Sequence, residues 1–395
     1  MTQVQNAAER PAQTDRLPLA GLLALAAAGF ITIMTEALPA GILPAMGSDL
    51  GVTGSAIGQT VTIYAIGSLL AAVPLTAATI GWQRRRVLLL AITGFAVANS
   101  VTAVSDNYVA TMVARFAAGV AAGLLWGLLA GYARRMVAPQ HRGRAMAIAM
   151  AGTPVALSIG VPAGTLVAGL VGWRVTFGIM TLLTLVLMGW VIAAVPNLPG
   201  QQKRMRVPLY KVIGLPGIIP VLVVTILFVV SHNILYTYIA SFLAPLGLGD
   251  QVGSVLLIFG GASLFGTWVT GVWIDRRLRL LVVSSCALFA LAVLGLAVFA
   301  ESLVAVFVSS ALWGLSFGGA PSLLQTAAAD AAAEALDVAQ SLVVTSWNIG
   351  IAGGGIIGGL LLSGVGPTTL PWATLALLLP ALLIAIFARR HAFRS

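Results

Sequence analysis

The sequence predicts an all-α membrane protein in which twelve transmembrane helices form two pseudo-symmetric six-helix bundles. Of its 395 residues 59% are hydrophobic and 8% charged, and the mean hydropathy is +1.02. A soluble domain of that composition would expose large apolar patches. Apolar stretches long enough to cross a bilayer, about 20 residues each, follow one another with short polar links between them. We therefore expect the bilayer to be the solvent, with no second, soluble domain.

The basic residues, which give a formal net charge of +10, are clustered at every second polar link. If the chain zigzags, all six clusters fall on one side, which is the positive-inside pattern. This predicts a multi-pass protein of the bacterial inner membrane with both termini cytoplasmic, and no nucleic-acid partner. The clusters are Arg10 and Arg16; Arg84, Arg85 and Arg86; Arg134, Arg135, Arg142 and Arg144; Lys203, Arg204, Arg206 and Lys211; Arg276, Arg277 and Arg279; Arg389, Arg390 and Arg394.

Apolar runs between turn and charge signals give the individual spans. A cytoplasmic tail over residues 1–17 precedes the first six-helix bundle at 18–195. A proline-bearing basic linker at 196–216 leads to the second bundle at 217–387, and residues 388–395 form a second cytoplasmic tail. The run after the first tail is too long for a signal peptide, so we expect it to remain as a span. The predicted spans are 18–45, 55–80, 87–104, 108–133, 145–170, 173–195, 217–246, 253–274, 280–299, 303–327, 338–364 and 368–387.

The two halves of the sequence also resemble each other. Three features recur in the same order at nearly constant spacing, which indicates an internal duplication and a substrate site between the repeats. The pairs are residues 84–89 with 276–281, Trp126-Gly127 with Trp313-Gly314, and the glycine-rich stretch at 160–164 with that at 350–358.

Several motifs spread over nearly the whole chain carry a resemblance to a known family. They are TEALPAGILP at 35–44, RFAAG at 115–119, GVPAGT at 160–165 followed by GWRVTF at 172–177, YTYI at 236–239 and NIG at 348–350. Together they resemble the major facilitator superfamily, and within it the drug:proton antiporter group of sugar-efflux, purine-nucleoside-efflux and chloramphenicol-efflux proteins. The resemblance implies the major facilitator fold and proton-coupled efflux.

The link between the second and third spans departs from the pattern of that family. The usual Gly-x-x-x-Asp-x-x-Gly-Arg-Arg reads AATIGWQRRR at residues 77–86, without the acid, whereas the second half keeps it in GVWIDRR at 271–277. In the family this loop is thought to latch the halves through charge pairs. The resemblance therefore implies gating roles for Arg84, Arg85, Asp275 and Arg276, with a weakened latch in the first half.

Glu36 is the only acid deep within a predicted span. A carboxylate inside a membrane is costly and normally faces a water-filled cavity or a partner, so it is a functional-site hypothesis by default. Proton binding and release there can be coupled to conformation. The alternative is a permanently neutral or structurally hydrogen-bonded glutamate.

Arg115 lies within the fourth predicted span and cannot be neutralised, so it must find acceptors. If the helices pack as in the family, Glu36 is the nearest candidate, and the pair would form the proton-coupling site. The alternative, left open here, is that Arg115 hydrogen-bonds backbone carbonyls and only braces the bundle.

The seventh span is too polar for a lipid-facing helix. His232, Asn233 and Tyr236 share one face at i, i+3 and i+4 spacing and offer donors and acceptors to a neutral polar ligand. Aromatic rings supply stacking surface for sugars or bases. For His232 the alternative is interhelical hydrogen bonding without ligand contact. The predicted substrate cavity also includes Tyr238, Gln325, Gln340 and Asn348.

Small residues and prolines crowd the fifth span. Gly160, Pro162 and Gly164 are predicted to form a conformational hinge and a packing seam, since glycine permits close helix approach and proline frees backbone bonds. A purely packing role is the alternative.

The sequence shows no catalytic constellation, phosphate-binding loop or metal cluster. The single cysteine, Cys286, has no partner for an intrachain disulfide. We therefore predict a non-enzyme without metal or cofactor, driven by the proton gradient, that exports a small organic molecule such as a sugar, nucleoside or drug. Its expected partners are the substrate, protons and membrane lipids, and it is expected to be monomeric. Proton-coupled uptake of a small polar solute and a non-transporting membrane sensor are the alternatives.

Overall fold

The computed structural model describes residues 17–138, 141–200, 209–332, 336–388 and 392–393. Nearly all of the predicted N-terminal tail and most of the C-terminal tail lie outside the described residues. So do Lys203, Arg204 and Arg206 of the predicted linker. A short helix, Leu209–Ile213, occupies part of that linker.

The described residues contain twelve membrane-spanning helices and no β-strand, and this confirms the predicted fold class. We number the helices α1 to α12. They are α1 Leu19–Asp49, α2 Gly54–Thr76, α3 Arg84–Val104, α4 Tyr108–Arg135, α5 Arg144–Val171, α6 Trp173–Ala194, α7 Ile218–Leu246, α8 Gly249–Ile274, α9 Arg276–Phe299, α10 Leu303–Ala332, α11 Val338–Gly364 and α12 Pro367–Phe387.

Several helix boundaries differ from the sequence expectation, and two of the differences have a clear physical cause. The backbone passes from α8 into α9 without a loop, as one helical run Val252–Phe299 that breaks at Arg277 (φ −141°, ψ 33°). No glycine or proline stands between residues 275 and 279 to end the helix, so one non-helical residue makes the reversal. Helix α1 continues past Pro44 to Asp49, because a backbone in lipid gains by keeping its internal hydrogen bonds.

Glycine contacts repeat between the halves and define the register of the duplication. In the first half, a methyl group on Gly119 would overlap the carbonyl oxygen of Tyr64 on α2. In the second half, Gly314 stands in the same relation to Phe259 on α8. Gly314 follows Gly119 by 195 positions in the sequence, and Phe259 follows Tyr64 by the same number. The predicted pairing of Trp126 with Trp313 has an offset of 187. The sequence pairing of these tryptophans is therefore wrong, because close helix approach fixes the repeat at the glycines.

Two sides of the molecule can be distinguished by their loops. The basic side carries Arg84 to Arg86, Arg134, Arg135 and Arg276 to Arg279, and the acidic side carries Asp49, Asp106, Asp250 and Glu301. The halves pack through α2 with α11, α1 with α7 and α5 with α8. These contacts run from the middle of the membrane, where Gly260 approaches Ser158, to the acidic side, where Gly54 approaches Leu362. The structure is thus closed at the acidic side.

A charge cluster joins three helix ends of the first half on the acidic side. The guanidinium of Arg174 lies 2.5 Å from a carboxylate oxygen of Asp49 and 2.8 Å from one of Asp106. The indole nitrogen of Trp173 donates to Asp49 at 2.8 Å, and the Arg174 guanidinium covers the Trp173 ring at 4.3 Å. The ends of α1, α3 and α6 are therefore fixed to one another.

Candidate functional site

Glu36 lies halfway along α1, a helix that packs against α7. Its side chain is partly exposed, and it has no hydrogen bond or ion pair with any described residue. The carboxyl is close enough to Tyr64, Arg115 and Tyr236 to interact with them electrostatically. All three of these side chains are buried. Glu36 therefore faces the protein interior at the boundary between the halves.

Arg115 is fully buried and donates to main-chain oxygens of two neighbouring helices. On α1 it reaches the carbonyls of Thr35 and Glu36, the second at 3.3 Å, and on α2 it reaches Thr60 O at 3.3 Å. Its guanidinium also covers the ring of Tyr64 at 4.9 Å. In this conformation Arg115 has the backbone contacts of the bracing alternative, and its proton-coupling role with Glu36 stays a prediction.

Proline explains why Arg115 binds α1 at this point. In a helix the carbonyl of Thr35 would accept from the amide of residue 39, but Pro39 has no N–H to donate. An acceptor left unpaired in the membrane is costly. Arg115 supplies the missing donor. Pro39 is therefore the sequence signal for this contact, and the predictions above did not use that proline.

His232 is at the centre of an aromatic cluster in the second half. Its imidazole stacks on Phe317 with a centroid distance of 3.8 Å and on Tyr236 at 5.0 Å. Its Nδ1 lies 3.2 Å from the indole nitrogen of Trp313. Phe259 packs on Trp313 at 4.6 Å and completes the cluster. No site role was predicted for Phe259, Trp313 or Phe317, since each is an ordinary apolar residue of its own helix.

Other polar groups near the middle of the second half keep unused hydrogen-bonding capacity. Asn233 donates to Val229 O at 2.9 Å and Asn348 to Val344 O at 3.0 Å, which leaves both amide oxygens free to accept. Among the described residues, the buried hydroxyl of Tyr236 has no hydrogen-bond partner. His232, Asn233, Tyr236 and Asn348 thus provide donors and acceptors around the middle of the bundle.

Two predicted cavity residues lie elsewhere. Tyr238 is fully buried between the halves, where its hydroxyl donates to Gly355 O at 2.8 Å. Gln59 of α2 reaches the same hydroxyl at 3.4 Å and the same carbonyl at 3.2 Å. We call Gln59, Tyr238 and Gly355 the clasp. Gln325 is exposed toward the basic end of α10, where its carbonyl accepts from Gln340 at 2.9 Å.

The predicted gating arginines bind within the first half. Arg84 is buried and donates to Ile80 O and, at 3.1 Å, to Thr79 O. Arg85 reaches Ile192 O at 3.3 Å, at the end of α6. In the second half Arg276 is exposed, and the side chain of Asp275 lies outside the described part of the structure. The gating roles of these residues stay predictions.

The small residues of α5 form a close seam with α1. A Cβ at Gly160 would stand 2.6 Å from Met34 Sδ, and one at Gly164 would stand 2.7 Å from Leu38. Residues Ala156–Gly160 form a π-helical turn that ends two residues before Pro162. A proline ring clashes with the carbonyl four residues earlier, and a widened turn relieves that clash.

Comparison with known proteins decides the family. The model of the Major Facilitator Superfamily matches residues 25–336. The chain belongs to this superfamily. It is 26% identical, over 355 residues that cover 89% of this chain and 90% of the relative, to the purine ribonucleoside efflux pump NepI of Escherichia coli (strain K12). The same figures hold for NepI of Shigella dysenteriae serotype 1 (strain Sd197).

Solved structures share the fold at 13% identity. A bacterial homolog of the human lysosomal transporter Spinster superposes with a TM-score of 0.75, covering 95% of this chain and 98% of that chain. The nucleoside transporter NupG superposes with a TM-score of 0.74, covering 93% of this chain and 100% of that chain. This membrane transporter therefore has the fold that the motifs predicted.

Proposed function

We propose that this member of the superfamily exports a small organic molecule across the bacterial inner membrane in exchange for protons, with both termini in the cytoplasm. The observation that carries the proposal is the position of Glu36. This acid lies inside the bundle at the boundary between the halves, without a bonded partner among the described residues. A carboxyl in such a place is suited to bind a proton in one state and release it in another.

Alternating access would couple that proton to the substrate. In the present arrangement the halves are closed toward the acidic side, so a substrate would enter from the basic, cytoplasmic side. After the halves rock, a proton arriving at Glu36 from the acidic side favours release of the substrate there. The gradient supplies about 2.3 kcal/mol per charge per 100 mV, so no bound cofactor is required.

The substrate is a neutral polar or amphiphilic molecule such as a sugar, a nucleoside or a drug. The second-half groups His232, Asn233, Tyr236 and Asn348 are neutral hydrogen-bonding groups beside aromatic rings. The similarity to a purine ribonucleoside efflux pump makes nucleosides the first compounds to test.

The test is proton flux in proteoliposomes that contain a pH-sensitive dye, with inosine, lactose and chloramphenicol as candidate substrates. We expect at least one compound to drive proton movement in the opposite direction, and we expect Glu36→Gln to reduce the flux to that of empty liposomes. Glu301→Gln, which changes an exposed acid in a loop, is the matched control and should retain full flux. Undiminished exchange by Glu36→Gln would remove the carrier role, and co-directional movement would indicate uptake.

A further inference from the structure

The hydrogen bond between Trp313 and His232 has a direction that chemistry fixes. An indole nitrogen always donates, since it has no lone pair available in the ring plane. Trp313 Nε1 lies 3.2 Å from His232 Nδ1, so Nδ1 must be the acceptor. A neutral imidazole carries one proton, which must then be on Nε2. His232 is therefore a hydrogen-bond donor at the ring edge that faces away from Trp313.

Two donors of this cluster have no acceptor in the described protein. His232 Nε2 is bonded to none of the described residues, and the hydroxyl of Tyr236, a residue only 4% exposed, has no hydrogen-bond partner. His232 and Tyr236 are one helical turn apart on α7, and their rings stack at 5.0 Å. Burying a hydroxyl without a hydrogen bond, as at Tyr236, is unfavourable. Among the described residues neither donor of the pair has an acceptor.

The unpaired donors lie near the boundary between the two halves. The Tyr236 hydroxyl is within electrostatic range of Glu36, which belongs to the other half. The rings of Phe259 and Phe317 lie against His232, with centroid distances of 5.7 and 3.8 Å. Two hydrogen-bond donors thus lie beside a packed group of aromatic rings at the boundary between the halves.

We propose that His232 and Tyr236 recognise a planar heteroaromatic ligand through its in-plane acceptor atoms, and that Trp313 is the positioning residue that keeps the proton of His232 on Nε2. The purine base of a nucleoside has the required chemistry, since its ring nitrogens and carbonyl oxygen accept hydrogen bonds and its faces stack on aromatic rings. A sugar alone can stack on an aromatic ring, but it has no planar ring with in-plane acceptor atoms. This inference rests on the proposed function and narrows its substrate class.

The first test reads the proton on His232 directly. The sequence has three histidines, so a His141→Gln, His391→Gln protein labelled with ¹⁵N-histidine reports on His232 alone in nanodiscs. We expect its spectrum to show the proton on Nε2. Trp313→Phe keeps an aromatic ring but loses the N–H, and should spread the proton over both nitrogens. Trp268→Phe, at a residue 63% exposed on the outer surface, is the control and should change nothing. A proton on Nδ1 in the parent protein would overturn the inference.

The second test asks whether Trp313 acts through His232. Trp313→Phe should weaken inosine binding about twofold, because only about half of the imidazoles would then carry the proton on Nε2. In a His232→Gln background the same change should have no further effect, because the group it positions is gone. An equal loss of inosine affinity in both backgrounds would show that Trp313 contributes only packing contacts, and would overturn its positioning role.

The two proposals fail in different ways. Proton-coupled transport of lactose or chloramphenicol by a protein that does not bind inosine would overturn the ligand class inferred here and leave the proposed function standing. Inosine binding with the expected tautomer, but without any proton exchange, would overturn the proposed function alone.

Discussion

At the scale of single residues, the candidate site is built from polar groups whose partners are set by other residues. Arg115 binds the Thr35 carbonyl because Pro39 cannot donate to it. His232 is a donor at Nε2 because Trp313 occupies Nδ1. Glu36 differs from both, since no described residue is bonded to its side chain. Because Glu36 has no fixed partner among the described residues, its carboxyl is the group best suited to change partners during a transport cycle.

The link between Arg115 and Pro39 can be tested by a double-mutant cycle. Pro39→Ala restores an amide that can donate to Thr35 O, so it should stabilise an Arg115→Met protein more than it stabilises the parent. We expect a coupling of about 1–2 kcal/mol, the cost of leaving one buried acceptor unpaired. Unfolding in a detergent titration can be followed by thiol labelling of Cys286, which is buried and the only cysteine.

Pro44→Ala is the control for that cycle. Pro44 interrupts the same helix, but the carbonyl that it frees belongs to Ala40, which is not among the acceptors of Arg115. Its effect should be equal in the parent and in the Arg115→Met background. Equal effects of Pro39→Ala in both backgrounds would show that Arg115 does not compensate for the proline.

At the scale of helices, the sequence predicted what depends on local composition and missed what depends on packing. Hydropathy and the positions of the arginines were enough for twelve spans, and a lone acid was enough to single out Glu36. The partners of Arg115 and His232 are 80 and 81 residues away along the chain, so no local pattern could show them. The predicted register of the repeat was wrong for the same reason. Gly119 and Gly314 are equivalent because each packs against the backbone of a neighbouring helix, and that contact is visible only in the folded structure.

The seam between α5 and α1 predicts the effect of added volume. Gly152→Ala would place a methyl group against the main-chain carbonyl oxygen of Ala26 and 2.8 Å from the amide nitrogen of Phe30, which cannot move aside as a side chain can. Overpacking of this kind typically costs about 1–3 kcal/mol, so we expect a lower thermal midpoint, read by Cys286 labelling. Gly169→Ala lies on the same helix in open space and should leave the midpoint unchanged or raise it. Equal midpoints for the two variants would show that the seam is not tightly packed.

At the scale of the whole molecule, the contacts between the halves decide which side is open. Packing of α2 on α11 and of α5 on α8 closes the acidic side. Most of that contact is between small or apolar groups, such as Gly355 beside Thr62 and Gly253 beside Leu166. The clasp adds directional hydrogen bonds from the Gln59 and Tyr238 side chains. Opening toward the acidic side must break these bonds, so their strength contributes to the balance between the two states.

Removing one hydroxyl of the clasp should shift that balance measurably. Tyr238→Phe loses the bond to Gly355 O, and a change of about 1 kcal/mol moves a two-state ratio about fivefold. Spin labels at exposed positions 104 and 365 of the two halves, in a Cys286→Ala background, should then show a larger population at long distance. Tyr108→Phe is the matched control, because that hydroxyl donates to Ala56 O within the first half, at 2.8 Å. If the clasp stabilises the closed state, the distance distribution should change for Tyr238→Phe and not for Tyr108→Phe. Identical distributions for the two variants would contradict that role of the clasp.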